Sequence, residues 1–298
     1  MMYKRYITIL LLLLCTGYIS NAQQKKGRSP KKEINVPEGL TYEVLTYRES
    51  TPKRATQMAV SYRDDGIKDK PVIVFIHGGG WAKGDKDDVM YQVFNVAKRG
   101  FVGVSISYRL ISEAPFPACI EDVKQAIRFL KSKEGELPID VARIGVWGYS
   151  AGAHLALMIG LSPDELFKTD EYSAYNTNVK AIMVVSAPTD FVTRREKQGA
   201  LAFFTKEQNN SESFQESVSP LSYIHQSQPS IYMLHGTADP LVKPFHYKNF
   251  EAVCKEKGVD NFELFEFEEG GHMFYFKRNK ETKPAFNAFL QEVNETVQ

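Results

Sequence analysis

Short apolar runs rich in β-branched residues alternate along the chain with segments whose apolar residues recur at helical spacing. The runs predict buried strands at residues 72–76, 101–106, 143–147, 181–185 and 231–234, and residues 262–267 are also strand-like. The helical spacing predicts amphipathic helices at residues 118–130 and 286–297, and residues 151–161, which are apolar on most sides, predict a buried helix. Because strands that alternate with helices form a mostly parallel sheet, the pattern predicts an α/β fold with helices on both faces of a central sheet.

Two segments depart from this alternation. Residues 38–63 carry apolar side chains at every second position, which predicts an antiparallel strand pair at the edge of the sheet. Residues 192–219 are polar and irregular, and they interrupt the succession of strand–helix units. We expect this second segment to form a small lid or rim over a site, and the pattern leaves its role open.

The composition is that of an ordinary globular protein. Of 298 residues, 43% are hydrophobic and 24% are charged, and the formal net charge is +1. This is enough apolar material for a sizeable core, and one domain is expected over residues 38–298. Nucleic acids and membrane surfaces attract clustered positive charge, so the near-neutral balance gives no reason to expect either partner. The oligomeric state stays open.

Residues 1–22 have the features of a secretory signal. Basic residues come first, an apolar stretch follows at 7–14, and small residues precede an expected cleavage after Ala22. The stretch is short for a hydrocarbon layer of about 30 Å, so the mature protein is expected to be exported without stable membrane insertion. Residues 23–37 are basic and contain Pro and Gly, which predicts a disordered linker. Cys15 leaves a lipoprotein alternative open.

Two cysteines remain after that cleavage. The spacing of Cys119 and Cys254 fits neither a metal site nor a redox motif. We expect buried thiols, although an exported compartment permits a bridge between them. No metal ion and no organic cofactor is predicted.

A serine lies between two glycines where a predicted strand meets a predicted helix, in Gly148-Tyr149-Ser150-Ala151-Gly152. This context is typical of a nucleophile elbow, in which the hydroxyl lies at the tip of a sharp turn. The motif alone marks only a turn, and its position between strand and helix makes Ser150 the candidate nucleophile. A serine hydroxyl is a weak nucleophile at neutral pH, so a base must reach it.

Three successive glycines separate His77 from Trp81, directly after the strand predicted at 72–76. Glycines remove side chains where backbone N–H groups must face a substrate oxygen. The loop is therefore predicted to supply oxyanion-hole donors beside the N–H of Ala151. A flexible hairpin loop is the alternative, and the strand before the glycines favours the oxyanion hole.

Two later loops offer the acid and the base that Ser150 needs. His235 ends a predicted strand, where the backbone is expected to hold its ring, whereas Asp239 lies on the following loop. His272 follows two glycines near the C-terminus, and an imidazole with an ordinary pKa of about 6.5 suits proton transfer at neutral pH. We predict His272 as general base and Asp239 as the acid that orients it, with Asp190 as the alternative acid.

Serine, then acid, then histidine is the order of the α/β-hydrolases. The motifs that carry a wider resemblance are His77-Gly78-Gly79-Gly80-Trp81, Ser107-Tyr108-Arg109-Leu110, Phe116-Pro117-Ala118, Gly148-Tyr149-Ser150-Ala151-Gly152, His235-Gly236-Thr237-Ala238-Asp239 and Gly271-His272. From residue 71 onward the chain resembles the hormone-sensitive-lipase-like bacterial carboxylesterases, especially secreted acetyl-xylan and feruloyl esterases. The resemblance implies an α/β-hydrolase fold, with Gly79 and Gly80 as oxyanion donors and Gly78 making the turn.

The expected reaction is hydrolysis of short acyl esters, acetyl esters first, on a small-molecule or carbohydrate alcohol. Trp81 beside the oxyanion loop and Tyr149 beside the nucleophile are predicted to bind substrate and to crowd the acyl side. Residues 110–115 depart from the family pattern, which leaves the shape of the rim and the leaving-group preference open. The choice between acetyl and feruloyl groups also stays open. Trp81 also fits the glycine-loop pattern of kynurenine formamidases, which cleave an N-formyl bond. A non-catalytic binding module on the same fold is the third hypothesis, and it requires a missing triad residue or a blocked oxyanion loop.

Overall fold

The computed structural model describes residues 33–50 and 52–296. By its contacts the chain divides into two units, Met1–Asn35 and Val36–Gln298, and all helices and strands of the described residues belong to the second. The predicted signal segment 1–22 and most of the predicted linker 23–37 lie outside the described residues. Their boundaries, and the start of the domain at residue 38, stay predictions.

The described residues form eight strands and nine α-helices. The strands are β1 (Glu43–Thr46), β2 (Gln57–Ser61), β3 (Lys70–Ile76), β4 (Val102–Ile106), β5 (Ile139–Tyr149), β6 (Ala181–Val185), β7 (Ser230–Gly236) and β8 (Phe262–Phe267). The helices are α1 (Met90–Ala97), α2 (Ala118–Ser132), α3 (Ala151–Leu161), α4 (Phe191–Gln198), α5 (Lys206–Asn209), α6 (Glu212–Ser217), α7 (Phe245–Glu256), α8 (Phe274–Lys277) and α9 (Asn279–Asn294). Short 3-10 helices lie at Lys53–Thr56, Lys86–Val89 and Pro220–Tyr223.

All eight strands join one sheet in the order β1-β2-β4-β3-β5-β6-β7-β8. β1 and β2 pair antiparallel at one edge, and every pairing from β4 to β8 is parallel. The predicted α/β fold and the predicted antiparallel pair at the sheet edge are both confirmed. In the central pair, Ile76 of β3 lies opposite Gly148 of β5. The loops that follow these two strands therefore begin side by side, at the carboxyl edge of the sheet.

Strand β3 is buried along its whole length because helices cover both faces of the sheet. Val72 and Val74 pack in a large apolar cluster that also holds Leu155 of α3. Phe75, which points to the opposite face, packs on Trp147 with ring centroids 5.6 Å apart. Burial on both faces explains why the strand is a continuous apolar run in the sequence rather than an alternating one.

The C-terminal helix begins earlier than the sequence predicts. A start at residue 286 is wrong, because α9 begins at Asn279 and contains Pro284 within its first turns. The proline lacks one backbone donor, which weakens the helix locally. Thr282, Ala285 and Phe289 nevertheless form a buried face, and that burial stabilises the additional turns.

The segment 192–219 is not irregular, which corrects the expectation from its composition. Most of it forms the three short helices α4, α5 and α6. Each begins with a side-chain cap: the side chains of Asp190, Thr205 and Ser211 accept hydrogen bonds from backbone N–H groups two or three residues into their helices. Helices this short show little hydrophobic periodicity, so the sequence pattern misses them.

Both cysteines of the second unit are buried free thiols. Burial raises the pKa of Cys254 to about 12, so it stays protonated at neutral pH. In the part of the chain that the structure describes, no helix is both long enough and apolar enough to cross a bilayer.

Candidate active site

Ser150 lies on the turn between β5 and α3, in a backbone conformation that residues with a side chain rarely adopt. Its φ is 54° and its ψ is −119°. A Cβ added to Gly148 would lie 2.3 Å from the carbonyl oxygen of Gly152. A Cβ added to Gly152 would lie 2.1 Å from the carbonyl oxygen of Ile76. The sharp turn therefore requires both glycines, and it presents the Ser150 hydroxyl at the carboxyl edge of the sheet.

A continuous chain of hydrogen bonds joins the three residues predicted to act together. The Ser150 Oγ donates to His272 Nε2 at 3.1 Å, and His272 Nδ1 donates to Asp239 Oδ2 at 2.8 Å. This arrangement selects the imidazole tautomer whose Nε2 is free to accept the serine proton. The structure brings Ser150, His272 and Asp239 together from three separate loops.

The carboxylate of Asp239 is held by more than the histidine. Its Oδ1 accepts hydrogen bonds from the backbone N–H groups of Leu241 and Val242 at 2.9 and 3.0 Å. Burial alone raises the pKa of Asp239, but these hydrogen bonds and the one from His272 outweigh burial and hold the pKa below its ordinary value of 3.8. The group is therefore ionised at neutral pH and favours a positive charge on the neighbouring imidazole.

The other acid and the other histidine on these loops have different partners. Asp190 caps α4 by accepting the N–H of Thr193 at 2.9 Å, and its Oδ2 accepts from Asn249 at 2.8 Å. Within the described residues no hydrogen bond joins it to His272. His235 Nε2 donates to the carbonyl oxygen of a loop residue at 2.9 Å, and burial lowers its pKa. The backbone thus holds its ring, as expected.

The glycine loop after β3 has the geometry that free N–H donors require. Gly79 and Gly80 both have positive φ, at 111° and 62°. A Cβ on Gly79 would lie 2.1 Å from the carbonyl oxygen of Lys83, so a side chain has no space there. The backbone N–H groups of Gly79, Gly80 and Ala151 donate no hydrogen bond to any of the described residues. These three donors remain available to an oxygen bound beside Ser150.

Trp81 forms one wall of the site and is only 3% exposed. Its ring packs against Phe203 and Phe116, with centroids 4.5 and 5.6 Å away. Its indole N–H donates to His154 Nδ1 at 3.3 Å. Because the ring packs against these aromatic residues and its indole N–H is hydrogen-bonded, Trp81 is a rigid wall rather than a mobile gate.

Tyr149 forms a second wall and connects the elbow to the histidine loop. Its hydroxyl donates to the backbone carbonyl oxygen of His272 at 3.2 Å, and it lies 2.9 Å from Met273 Sδ. A Cβ on Gly78 would lie 2.9 Å from the Tyr149 ring, so the tyrosine requires a glycine opposite it. Burial raises the pKa of Tyr149 far above the neutral range, and the phenol stays uncharged.

A single cavity of about 480 Å³ is lined by six of the residues predicted for the site: Gly79, Gly80, Trp81, Tyr149, Ser150 and His272. The predicted lining residues are joined by others that the sequence does not single out: Lys83, Pro188, Arg194, Leu241, Val242 and Met273. Adjacency to Asp239 and His272 is a signal that could have found Leu241, Val242 and Met273. Nothing in the local sequence distinguishes Arg194 from its neighbour Arg195.

The arrangement is suited to acyl transfer. A hydroxyl with a base and an orienting acid can attack a carbonyl carbon, and three free N–H groups can stabilise the oxyanion that forms. In the described chain, no group of three or more His, Cys, Asp or Glu side chains is placed to hold a metal ion.

An eight-stranded, mostly parallel sheet with a serine on a strained turn between strand and helix defines an α/β-hydrolase. The family described as BD-FAE matches residues 59–253. This match covers well over half of the sequence, and the chain belongs to that family.

Among curated proteins, the esterase LipQ of Mycobacterium tuberculosis is 27% identical over 212 residues, which cover 68% of this chain and 50% of that protein. The chain spans about half the length of the curated relatives that it matches. A butyrate-bound thermophilic esterase of Thermogutta terrifontis has a TM-score of 0.70 and 25% identity, and the match covers 84% of this chain and 94% of that one.

A truncated carbohydrate esterase from gut microbiota has a TM-score of 0.72 and covers 87% of this chain and 99% of that chain. Its identity is 21%, so this likeness supports the fold alone.

Proposed function

We propose that this chain is a serine carboxylesterase that hydrolyses short acyl esters, acetyl esters first, through an acyl-enzyme intermediate. The observation that supports this most is the hydrogen-bond chain from Ser150 through His272 to Asp239, with links of 3.1 and 2.8 Å. The esterase activity for which its relatives are named supports the same class of reaction.

In the first half of the reaction, Ser150 Oγ attacks the ester carbonyl carbon while His272 Nε2 takes the hydroxyl proton. The carboxylate of Asp239 stabilises the imidazolium that forms. The N–H groups of Gly79, Gly80 and Ala151 donate to the developing oxyanion, and a donor of this kind contributes about 3 kcal/mol to a transition state. When the tetrahedral intermediate collapses, the imidazolium gives its proton to the departing alcohol.

In the second half, a water molecule takes the place of the alcohol. His272 Nε2 removes a proton from that water as its oxygen attacks the acyl-enzyme carbonyl, and the same three N–H groups hold the second oxyanion. Collapse releases the acid and returns the proton to Ser150 Oγ. One base serves both halves because the alcohol and the water occupy the same position.

The preference for a short acyl group follows from the walls of the cavity. Trp81 is 3% exposed, and moving it would break its packing on Phe203 and its hydrogen bond to His154. The cavity of about 480 Å³ must hold the acyl group and part of the alcohol together. Because Trp81 is held in place, we expect it to limit the length of the acyl group, which supports acetyl esters before octanoyl esters.

The alcohol is proposed to be a carbohydrate or a similarly bulky group. The resemblance of the sequence motifs to acetyl-xylan and feruloyl esterases and the predicted export support this part of the proposal. Export itself is proposed from residues 1–22, and the mass of the mature N-terminus distinguishes cleavage after Ala22 from lipidation at Cys15.

The test measures kcat/KM for the acetyl, butyryl and octanoyl esters of para-nitrophenol. We expect the rates to fall with acyl length, and a maximum at octanoyl would reject the short-chain preference. Acetate release from acetylated xylo-oligosaccharide and ferulate release from a feruloyl ester decide between the two polysaccharide substrates. Absence of both, beside brisk nitrophenyl acetate hydrolysis, would reject the carbohydrate part.

The decisive variant is Ser150→Ala. We expect turnover to fall by a factor of about 10⁶, because the triad acts as a unit, while the urea unfolding curve stays the same. Ala fits the same space between the two glycines. Retention of more than a few per cent of the activity at unchanged stability would remove Ser150 from the mechanism.

A further inference from the structure

Arg194 is a cation without a hydrogen-bond or ion-pair partner in the wall of the active-site cavity. It lies on helix α4 and lines the same cavity as Ser150 and His272. Its Nε is buried and has no hydrogen-bond partner, and its Cζ lies 5.2 Å from the ring centroid of Phe203. None of the described residues forms an ion pair with it. The next residue, Arg195, donates instead to a backbone carbonyl oxygen at 3.1 Å.

A partly buried guanidinium whose Nε has no acceptor costs folding free energy, because the interior solvates the charge less well than water. Desolvation lowers the pKa of Arg194, and no acidic group opposes this effect. Other buried cations of the described chain do have acceptors. Arg128 pairs with Asp164 at 2.9 Å, and Lys124 donates to two loop carbonyl oxygens at 2.6 and 2.7 Å. Packing requirements alone do not account for the unpaired charge of Arg194.

The remaining charges around the cavity favour an anion. Lys83 lies exposed at the rim, and none of the described lining residues is acidic. The negative charge of Asp239 is already matched by His272 and two backbone N–H groups. Water screens the exposed Lys83, so it contributes little to binding. One desolvated positive charge, that of Arg194, is left for a ligand to match.

We propose that the substrate of this site is an ester that also carries a carboxylate, which Arg194 binds while Ser150 attacks the ester carbonyl. The inference rests on the proposed esterase function and names its substrate class. A planar guanidinium can donate two parallel N–H bonds to the two oxygens of a carboxylate, and one carboxylate balances the one unmatched charge. That carboxylate belongs either to the acyl group, as in a dicarboxylic half-ester, or to the alcohol, as in an acidic sugar.

The test uses two pairs of esters that match in shape and differ in charge. On the acyl side, para-nitrophenyl hemisuccinate is compared with para-nitrophenyl isocaproate. On the alcohol side, para-acetoxybenzoate is compared with para-acetoxybenzamide. In each pair, the ratio of kcat/KM for the anionic ester to kcat/KM for the neutral one cancels any difference in the amount of folded enzyme.

In one of the two pairs we expect wild type to favour the anionic ester, and Arg194→Gln to lower the ratio by about tenfold or more. Arg194→Lys should recover part of the ratio, because it restores the charge without the planar fork. Lys197→Gln is the matched control: it removes the same charge from the same helix, is exposed and does not line the cavity. Equal ratios in wild type and Arg194→Gln for both pairs, or an equal loss in Lys197→Gln, would overturn the proposal.

A binding measurement separates this proposal from the esterase function. Succinate and benzoate binding is measured by ligand-observed NMR on Ser150→Ala and on Ser150→Ala with Arg194→Gln. Binding that is lost with Arg194 supports the carboxylate site even if no ester is hydrolysed, in which case only the esterase function fails. Ester hydrolysis by wild type, with no carboxylate binding and no charge preference, contradicts the Arg194 proposal and leaves the esterase function intact.

Discussion

Two histidines lie beside Ser150, and their surroundings are opposite in character. His272 comes from a loop after two glycines, with a carboxylate on Nδ1 and the Ser150 hydroxyl on Nε2. His154 lies four residues after Ser150 on α3 and is fully buried. Its Nδ1 accepts the indole N–H of Trp81 at 3.3 Å, and its Nε2 donates to the carbonyl oxygen of Val218 at 2.8 Å.

The difference shows that partners, rather than proximity to the nucleophile, determine what an imidazole can do. A carboxylate on Nδ1 favours the charged ring, so His272 can receive a proton from Ser150. An indole N–H on Nδ1 occupies the position where His154 would bind a second proton. Burial lowers the pKa of His154 to about 4, although the Val218 carbonyl works in the other direction. His154 is therefore a neutral structural group that holds Trp81 in the cavity wall.

Within this comparison, the largest expected effect comes from exchanging His272 for glutamine, with the same exchange at His154 as its counterpart. His272→Gln should lower kcat/KM for nitrophenyl acetate by a factor of about 10⁴ or more, with little change in unfolding free energy. His154→Gln should instead lose about 1–3 kcal/mol of stability, because at least one buried partner is left unsatisfied, and keep most of its turnover. Steady-state kinetics and urea unfolding on both variants check this. Comparable losses of turnover at matched folded fraction would break the distinction between the two rings.

The two aspartates provide a second, slightly smaller contrast. Asp239→Asn should lower turnover by about 10⁴, because an amide cannot select the tautomer or stabilise the imidazolium. Asp190→Asn should keep turnover close to wild type, since Asn caps a helix about as well as Asp. Measuring turnover of the two variants under conditions where both are equally folded shows which aspartate orients His272. A larger loss in Asp190→Asn would mean that Asp190, rather than Asp239, orients His272.

The sequence predicted the parallel sheet because strands buried on both faces are continuous apolar runs. The bounds of β6 and of α3 agree with the prediction to the residue. The pattern failed where structure depends on local hydrogen bonds or on distant packing. Side-chain caps such as that of Asp190 stabilise the first turns of the short helices in 192–219. Burial of Phe289 stabilises α9 although the helix contains Pro284.

The residues of the candidate site likewise fall into those that the sequence predicts and those that it does not. Glycine motifs predict the elbow and the oxyanion loop. At Gly79, Gly148 and Gly152 only glycine fits, because an added Cβ would lie 2.1 to 2.3 Å from a carbonyl oxygen. Ser150, Asp239 and His272 were all predicted from such contexts. Arg194 was not predicted. It stands out only because the folded chain places no acidic partner beside its guanidinium. An unmatched charge is a property of the tertiary structure and leaves no local motif.

The smallest effect, and the sharpest test of the two-histidine contrast, is the dependence of stability on pH. In the unfolded chain His154 takes up a proton near its ordinary pKa of 6.5, whereas in the folded protein it does so only near pH 4. The unfolded state therefore binds more protons throughout this window, so the free energy of unfolding falls as pH drops from 6.5 to 4. The shift corresponds to about 3 kcal/mol, present above the window and lost below it.

His154→Gln has no such proton to gain, so its unfolding free energy should fall less than that of wild type over the same range, by up to about 3 kcal/mol. Urea unfolding at several pH values between 4 and 7.5 measures both slopes. His77, His235 and His246, which burial also keeps from protonating, are present in both proteins and cancel in the difference. His225→Gln, which removes an exposed histidine, is the matched control for the substitution itself. Equal slopes for wild type and His154→Gln would mean that His154 is protonated readily in the folded protein. The contrast between a neutral, structural His154 and a proton-accepting His272 would then be wrong.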